Sequence, residues 1–185
     1  MQGTVRENLD PFNERSDIEV WQVLKEVKLD ESVRQLNNGL LTIVTESTSL
    51  FSVGQKQLIC LARAMLLRTK ILVLDEATAN VDLQTDNFIQ FKIREQFMDN
   101  QAATVLVIAH RLATVIDSDR VLVMSDGTGV EYDHPFNLLA ESEEDDCITR
   151  DDGYFARMVR ATGTESADSL FKLAKEKYQL GNNKE

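Results

Sequence analysis

Three groups of residues have the types and spacing to do chemistry. Asp75 and Glu76 stand side by side after the apolar run Ile71-Leu72-Val73-Leu74. Carboxylates at the C-terminal end of a strand lie where open α/β sheets put their ligand sites. His110 ends a second apolar run, Thr104 to Ala109. Phe51-Ser52-Val53-Gly54-Gln55 opens a helical pattern. There Ser52 can cap the helix and Gly54 leaves room for a ligand to approach the backbone. The free N–H groups of such a first turn, with the positive end of the helix dipole, suit a phosphate. Taken singly, each has a plainer reading: a surface turn, a structural histidine, an ordinary helix start.

These residues need elements to position them. Leu58, Leu61, Ala62, Met65 and Leu66 fall at helical spacing, which predicts a helix with one buried face. Ile71 to Leu74 reads as a strand of a parallel sheet, buried on both faces. Ile89, Ile93 and Phe97 repeat every fourth residue and predict a helix after Asp82. Thr104 to Ala109 reads as the next buried strand, and Arg111 to Ile116 as a short helix. Upstream, Ser16-Asp17-Ile18-Glu19 has the form of a capping box, followed by Val20, Val23, Leu24 and Val27 at helical spacing. Trp21 reads as a core aromatic beside them. Asn37-Asn38-Gly39 marks a turn, and Leu40 to Val44 leads on towards Phe51.

The stretch from Ser49 to Asp82 resembles the second half of an ATP-binding cassette (ABC) nucleotide-binding domain. Phe51 to Gln55 is similar to its signature loop, Ile71 to Glu76 to its Walker B strand with the catalytic glutamate, and Ala77 to Asp82 to its D-loop. His110 matches the switch histidine. Gly3 to Phe12 (GTVRENLDPF) and Asp117 to Pro135 (DSDRVLVMSDGTGVEYDHP) extend the resemblance to the C subfamily, the multidrug-resistance-associated proteins. It starts in mid-domain and covers about the C-terminal two-thirds of such a domain. The Q-loop falls upstream, and no Gly-Lys pair of a Walker A loop occurs in the 185 residues.

The resemblance implies a fold class of α/β type: a partial P-loop NTPase, mainly a parallel sheet flanked by helices, with a helical subdomain. It implies a partial nucleotide-binding domain over residues 1–140 (helical subdomain about 5–66, core about 67–140), then an acidic linker and helical tail over 141–185. It also implies roles. Asp75 would bind Mg2+, and Glu76 would be the general base on the attacking water. His110 would sense the γ-phosphate, and Asp82 would couple two sites across a dimer. Ser52, Gly54 and Gln55 would touch, in trans, an ATP held mainly by another domain. Partners would be a second nucleotide-binding domain and transmembrane domains, at the cytoplasmic face of a membrane. Phe51 and Val53 depart from the usual Leu-Ser-Gly-Gly-Gln, as in second domains of the C subfamily, and Glu76 likewise fits a second domain. The implied function is ATP-driven export of organic anions or conjugates. The alternative is a truncated, catalytically inactive fragment acting as a dimerisation or regulatory module.

Composition fits this. Hydrophobic content of 43% supports a packed core, and the net charge of −11 argues against nucleic-acid binding. Apolar runs fall short of the roughly 20 residues that span a bilayer. Cys60 sits among apolar residues and reads as a buried thiol; with Cys147 it fits a reducing cytosol. Near the C-terminus, Arg120 to Met124, the turn Asp126 to Gly129, and Val130 to Tyr132 form a hairpin pattern. Pro135 suits the first turn of a helix through Ala140. Glu141 to Asp152 reads as an acidic, mobile, solvated linker interrupted by Ile148, and Tyr154 to Val159 as a short helix. Leu170, Phe171, Leu173 and Ala174 form an apolar stripe that packs either on the domain or on a partner.

Overall fold

The computed structural model describes residues 2–45, 50–75, 81–98, 103–109 and 111–182. Glu76, His110 and most of the expected D-loop lie outside these residues. The chain forms two compact units, Met1–Ile108 and Ala109–Glu185.

The first unit begins with a short strand, β1 (Gly3–Thr4), paired antiparallel with β2 (Ile43–Val44). Between them lie α1 (Val5–Leu9), α2 (Asp17–Glu26), α3 (Asp30–Arg34) and a 3₁₀ turn at Gly39–Leu41. Both α1 and α2 start on full capping boxes, Thr4 with Glu7 and Ser16 with Glu19. The Arg6 guanidinium gathers the connection from α1 to α2. It donates to Asp10 and Asp17, each at 2.9 Å, and to the carbonyl of Arg15. Buried Asp10 also accepts the backbone N–H of Arg15 at 2.8 Å. Trp21 packs half-buried against the core, with the Arg34 guanidinium 4.3 Å above its ring.

The long helix α4 (Val53–Leu67) buries Leu58, Ile59, Leu61, Ala62 and Leu66. It leads through Arg68, in a left-handed conformation, to β3 (Ile71–Asp75). Then follow α5 (Leu83–Ile93), one π-helical turn (Arg94–Met98) and β4 (Thr104–Ile108). Ile89, Ile93 and Phe97 are buried, as their spacing predicts. Strands β3 and β4 are parallel, with Ile71 opposite Thr104 and Asp75 opposite Ile108.

The pairing is as expected, but burial on both faces is not. Leu72, Leu74 and Val105 pack against the core of this unit. Ile71 (68% exposed), Val73 (58%), Leu106 (57%) and Ile108 (51%) form a bare opposite face. The alternation of a pleated strand sends successive side chains to opposite sides, and within this unit helices cover one side only.

In the second unit, α6 (Leu112–Val115) precedes a hairpin of β5 (Val121–Ser125) and β6 (Thr128–Asp133). Its two-residue turn, Asp126-Gly127, has positive φ at both positions, which matches the twist of the flanking strands. Helix α7 (Pro135–Leu139) follows with Pro135 in its first turn. Then come α8 (Tyr154–Arg160) and α9 (Thr164–Asn182). Phe136, Leu139, Phe155, Val159, Phe171 and Ala174 form a core of their own. The apolar stripe of α9 therefore packs within this unit. Leu173 is the exception, pointing to solvent at 48% exposure.

The acidic segment is tied down rather than loose. Lys175 donates to the carbonyl of Asp145 at 2.8 Å and to the Asp146 carboxylate at 2.7 Å. Tyr178 donates to Glu143, and Arg160 to the Ile148 carbonyl. Thr149 and Arg150 donate their backbone N–H groups to the Leu139 carbonyl. The run is exposed to solvent, as its charge predicts, and basic and phenolic groups of α9 hold it as well. Among the described residues, no helix is long and apolar enough to cross a membrane.

Candidate functional site

The Phe51–Gln55 turn is built by anchoring one residue and capping with the next. Phe51 is buried at 2% exposure, while Val53 stands 51% exposed. Ser52 is the N-cap of α4: its hydroxyl accepts the Gln55 N–H at 3.2 Å. The Gln55 side-chain oxygen in turn accepts the Ser52 N–H at 2.9 Å. A serine hydroxyl that accepts once still carries a hydrogen to donate. The helix's own hydrogen bonds begin with Lys56 donating to the Ser52 carbonyl. That leaves the amides of Val53 and Gly54 at the first two helical positions, where no intrahelical partner exists. The amides, the dipole and the hydroxyl together suit an anionic oxygen.

Gly54 is buried, and its missing side chain serves a contact inside the chain. A Cβ there would meet the Thr85 methyl at 3.1 Å and a Val81 methyl at 3.4 Å. Gln55 reaches α3 as well, its amide donating to Ser32 at 3.4 Å. Asp82 is the N-cap of α5. It accepts the Thr85 N–H at 3.0 Å and the Thr85 hydroxyl at 2.7 Å. The Thr85 N–H, and next its hydroxyl, hold the Asp82 carboxyl below the usual carboxylate range.

Asp75 closes β3, exposed, at the C-terminal end of the strand. It lies on a groove of about 250 Å³ whose walls come from α4 (Gln57, Cys60), β3 and α5 (Ile89, Ile93). Cys60 is exposed here, against the expectation of a buried thiol. It lies one residue past Ile59, on the turn of α4 that faces this groove rather than the core. Among the described residues, no three or more His, Cys, Asp or Glu side chains gather to hold a metal. Asp75 thus offers one oxygen ligand, which fits an ion such as Mg2+ that keeps waters and substrate phosphates in its shell.

The structure therefore brings Gly54 together with Val81 and Thr85, and sets Asp75 at a strand end. Sequence reasoning did not single out Thr85 or Ser32. The pattern Asp-x-x-Thr after a loop was the available signal for the first, since it has the form of a helix cap. Nothing in the sequence marked Ser32.

A family model described as "ABC transporter" matches residues 1–79. ATP-binding cassette sub-family C member 4 of Homo sapiens is 49% identical over 176 residues, covering 95% of this chain and 12% of the relative. The chain belongs to the ABC transporter family. The Drosophila melanogaster protein named probable multidrug resistance-associated protein lethal(2)03659 is 49% identical over 177 residues, 96% of this chain and 12% of its own length. ATP-binding cassette sub-family C member 2 of Rattus norvegicus is 46% identical over 166 residues, 90% of this chain and 10% of its own. The chain thus spans about an eighth of the length of the first of these relatives. Within the ABC family it is part of a nucleotide-binding domain of the C-subfamily type, with the P-loop NTPase fold.

Proposed function

We propose that the chain is the C-terminal part of the second nucleotide-binding domain of an ABC exporter. That exporter couples ATP binding and hydrolysis to transmembrane export of organic anions or conjugates. The observation that carries this is the capped start of α4 at Ser52, in a chain whose relatives are C-subfamily transporters. Its partners are a second nucleotide-binding domain and transmembrane domains, and its place is the cytoplasmic face of a membrane. The functional division runs at about residue 140, with the partial nucleotide-binding domain before it and the acidic segment and helical tail after it.

Moving a γ-phosphoryl group to water is mostly positioning and charge neutralisation. Mg2+, when bound, supplies the charge that neutralises the phosphate oxygens. Asp75, at the end of β3, would hold it. Glu76 takes the proton of the attacking water, and His110 contacts the γ-phosphate. Ser52 and the amides after it donate to the γ-phosphate of an ATP held by the other domain, with Gly54 and Gln55 in the same turn. Asp82 links the two sites.

The test is association. Mixed with a nucleotide-binding domain that carries a Gly-rich phosphate loop, the chain forms a complex that depends on ATP and Mg2+, and Ser52→Ala weakens it. By itself the chain releases no phosphate from ATP. Turnover by the isolated chain that Glu76→Gln abolishes, or a complex indifferent to ATP, contradicts the reading.

A further inference from the structure

The contact between Gly54 and Thr85 joins two elements that the proposed function uses separately. We infer that Thr85 is a positioning residue that locks the Ser52–Gln55 turn to the Asp82 loop, so that both present themselves to nucleotide as one piece. The inference rests on that functional reading for its purpose but on geometry for its content.

Thr85 has two branches, and the structure uses both. Its hydroxyl donates to the Asp82 carboxylate at 2.7 Å, which fixes χ1 of a side chain already stiff by branching. With χ1 fixed, the methyl cannot swing away from Gly54, where a Cβ would stand 3.1 Å from it. Val81, the residue before Asp82, closes the same spot from 3.4 Å. At the other side, Ser52 and Gln55 hold each other through two hydrogen bonds, so the turn cannot shift one residue at a time. Movement of Asp82 is therefore passed through the Thr85 side chain, with Val81 beside it, to the first turn of α4. Glycine at position 54 is what lets the two surfaces meet; bare space for a ligand is not needed to account for it.

Hydrogen exchange on the 185-residue chain, without nucleotide, tests this. Gly54→Ala puts a methyl against the Thr85 methyl. It should speed exchange of the Thr85 and Asp86 amides about tenfold, although these lie in a different helix. Adding Thr85→Ser removes the opposing methyl and keeps the hydroxyl for Asp82; exchange should return to within about twofold of the parent. Thr85→Val keeps the shape and loses the hydroxyl. It should speed exchange of the Gln55 and Lys56 amides severalfold while the melting temperature moves little. The inference is overturned if Gly54→Ala acts only within α4 and Thr85→Ser gives no rescue. It is equally overturned if exchange rises uniformly over the unit in step with a lower melting temperature. Because no nucleotide is present, these results are independent of the ATP-dependent association that tests the functional reading.

Discussion

Glu131, on β6, accepts the backbone N–H of Tyr154 on one carboxylate oxygen and that of Phe155 on the other, both at 2.8 Å. The N-cap of α8 is Gly153, which has no side chain to do this. A residue more than twenty positions earlier supplies the cap and a negative charge at the positive end of the helix. Glu131→Gln keeps one acceptor and loses the charge. It should lower the stability of the second unit by roughly 1–2 kcal/mol. Urea unfolding followed through a probe in that unit should show an earlier midpoint with an unchanged slope.

His134 makes the second unit sensitive to mild acid. Its Nδ1 accepts the Phe136 N–H at 3.1 Å at the start of α7, and its ring meets Tyr178 edge-on at 5.2 Å. Burial is the main influence and pushes its pKa below the ordinary value; Asp119 and Asp133 pull the other way, while Arg120 and Lys177 add to the lowering. A histidine whose folded pKa is depressed stabilises fully above the unfolded pKa, near 6.5. That stability is lost as pH falls from there through the folded value. The melting temperature of this unit should drop between neutral and mildly acidic pH. His134→Asn, which keeps a capping acceptor and cannot titrate, should flatten that slope.

Asp10 governs acid tolerance in the first unit. Burial works to raise its pKa, but the N–H of Arg15, the Arg6 guanidinium and the N–H of Glu14 outweigh it and hold the carboxyl below the usual range. Its contribution is present above the unfolded value near 3.8 and is lost as pH falls through the lower folded value. At neutral pH, Asp10→Asn leaves Arg6 short of a charge and should cost about 2–3 kcal/mol. As pH falls through that lowered folded value the difference between variant and parent should vanish, because the parent aspartate is then protonated too.

The bare face of β3 and β4 should make the chain associate with itself. Val73 and Leu106 are register partners in the middle of that face. Val73→Lys with Leu106→Glu places opposite charges across the pair. Sedimentation velocity should show the association constant falling at least about tenfold. An unchanged sedimentation profile contradicts this.

Local signals were legible before any coordinates, and long-range ones were not. The capping box at Ser16 follows from a spacing of three residues, the cap at Ser52 from its place before a helical pattern, and the hairpin turn from Asp126-Gly127. Phe97 was legible as buried from its period, though the turn holding it is π rather than α. Burial of β3 on both faces was inferred from an unbroken apolar run, which records how apolar a strand is and not what covers it. Cys60 departs from its expected burial for a related reason: apolar neighbours in sequence occupy other faces of the same helix. The ties from Lys175 and Tyr178 to the acidic segment connect residues about thirty positions apart, as in the Lys175 bond to Asp145, and no period encodes them. At the candidate site, Ser52 was found as a cap and Asp75 as a strand end, but the pairing of Gly54 with Thr85 needed the fold.

Both cysteines of the chain are exposed, Cys60 in the first unit and Cys147 in the second. Two dyes or two spin labels can therefore be attached without engineering, one to each half of the polypeptide. The separation between them becomes a direct ruler for how the halves are arranged in solution. Since Cys60 borders the groove beside Asp75, the same label also reports whatever fills that groove.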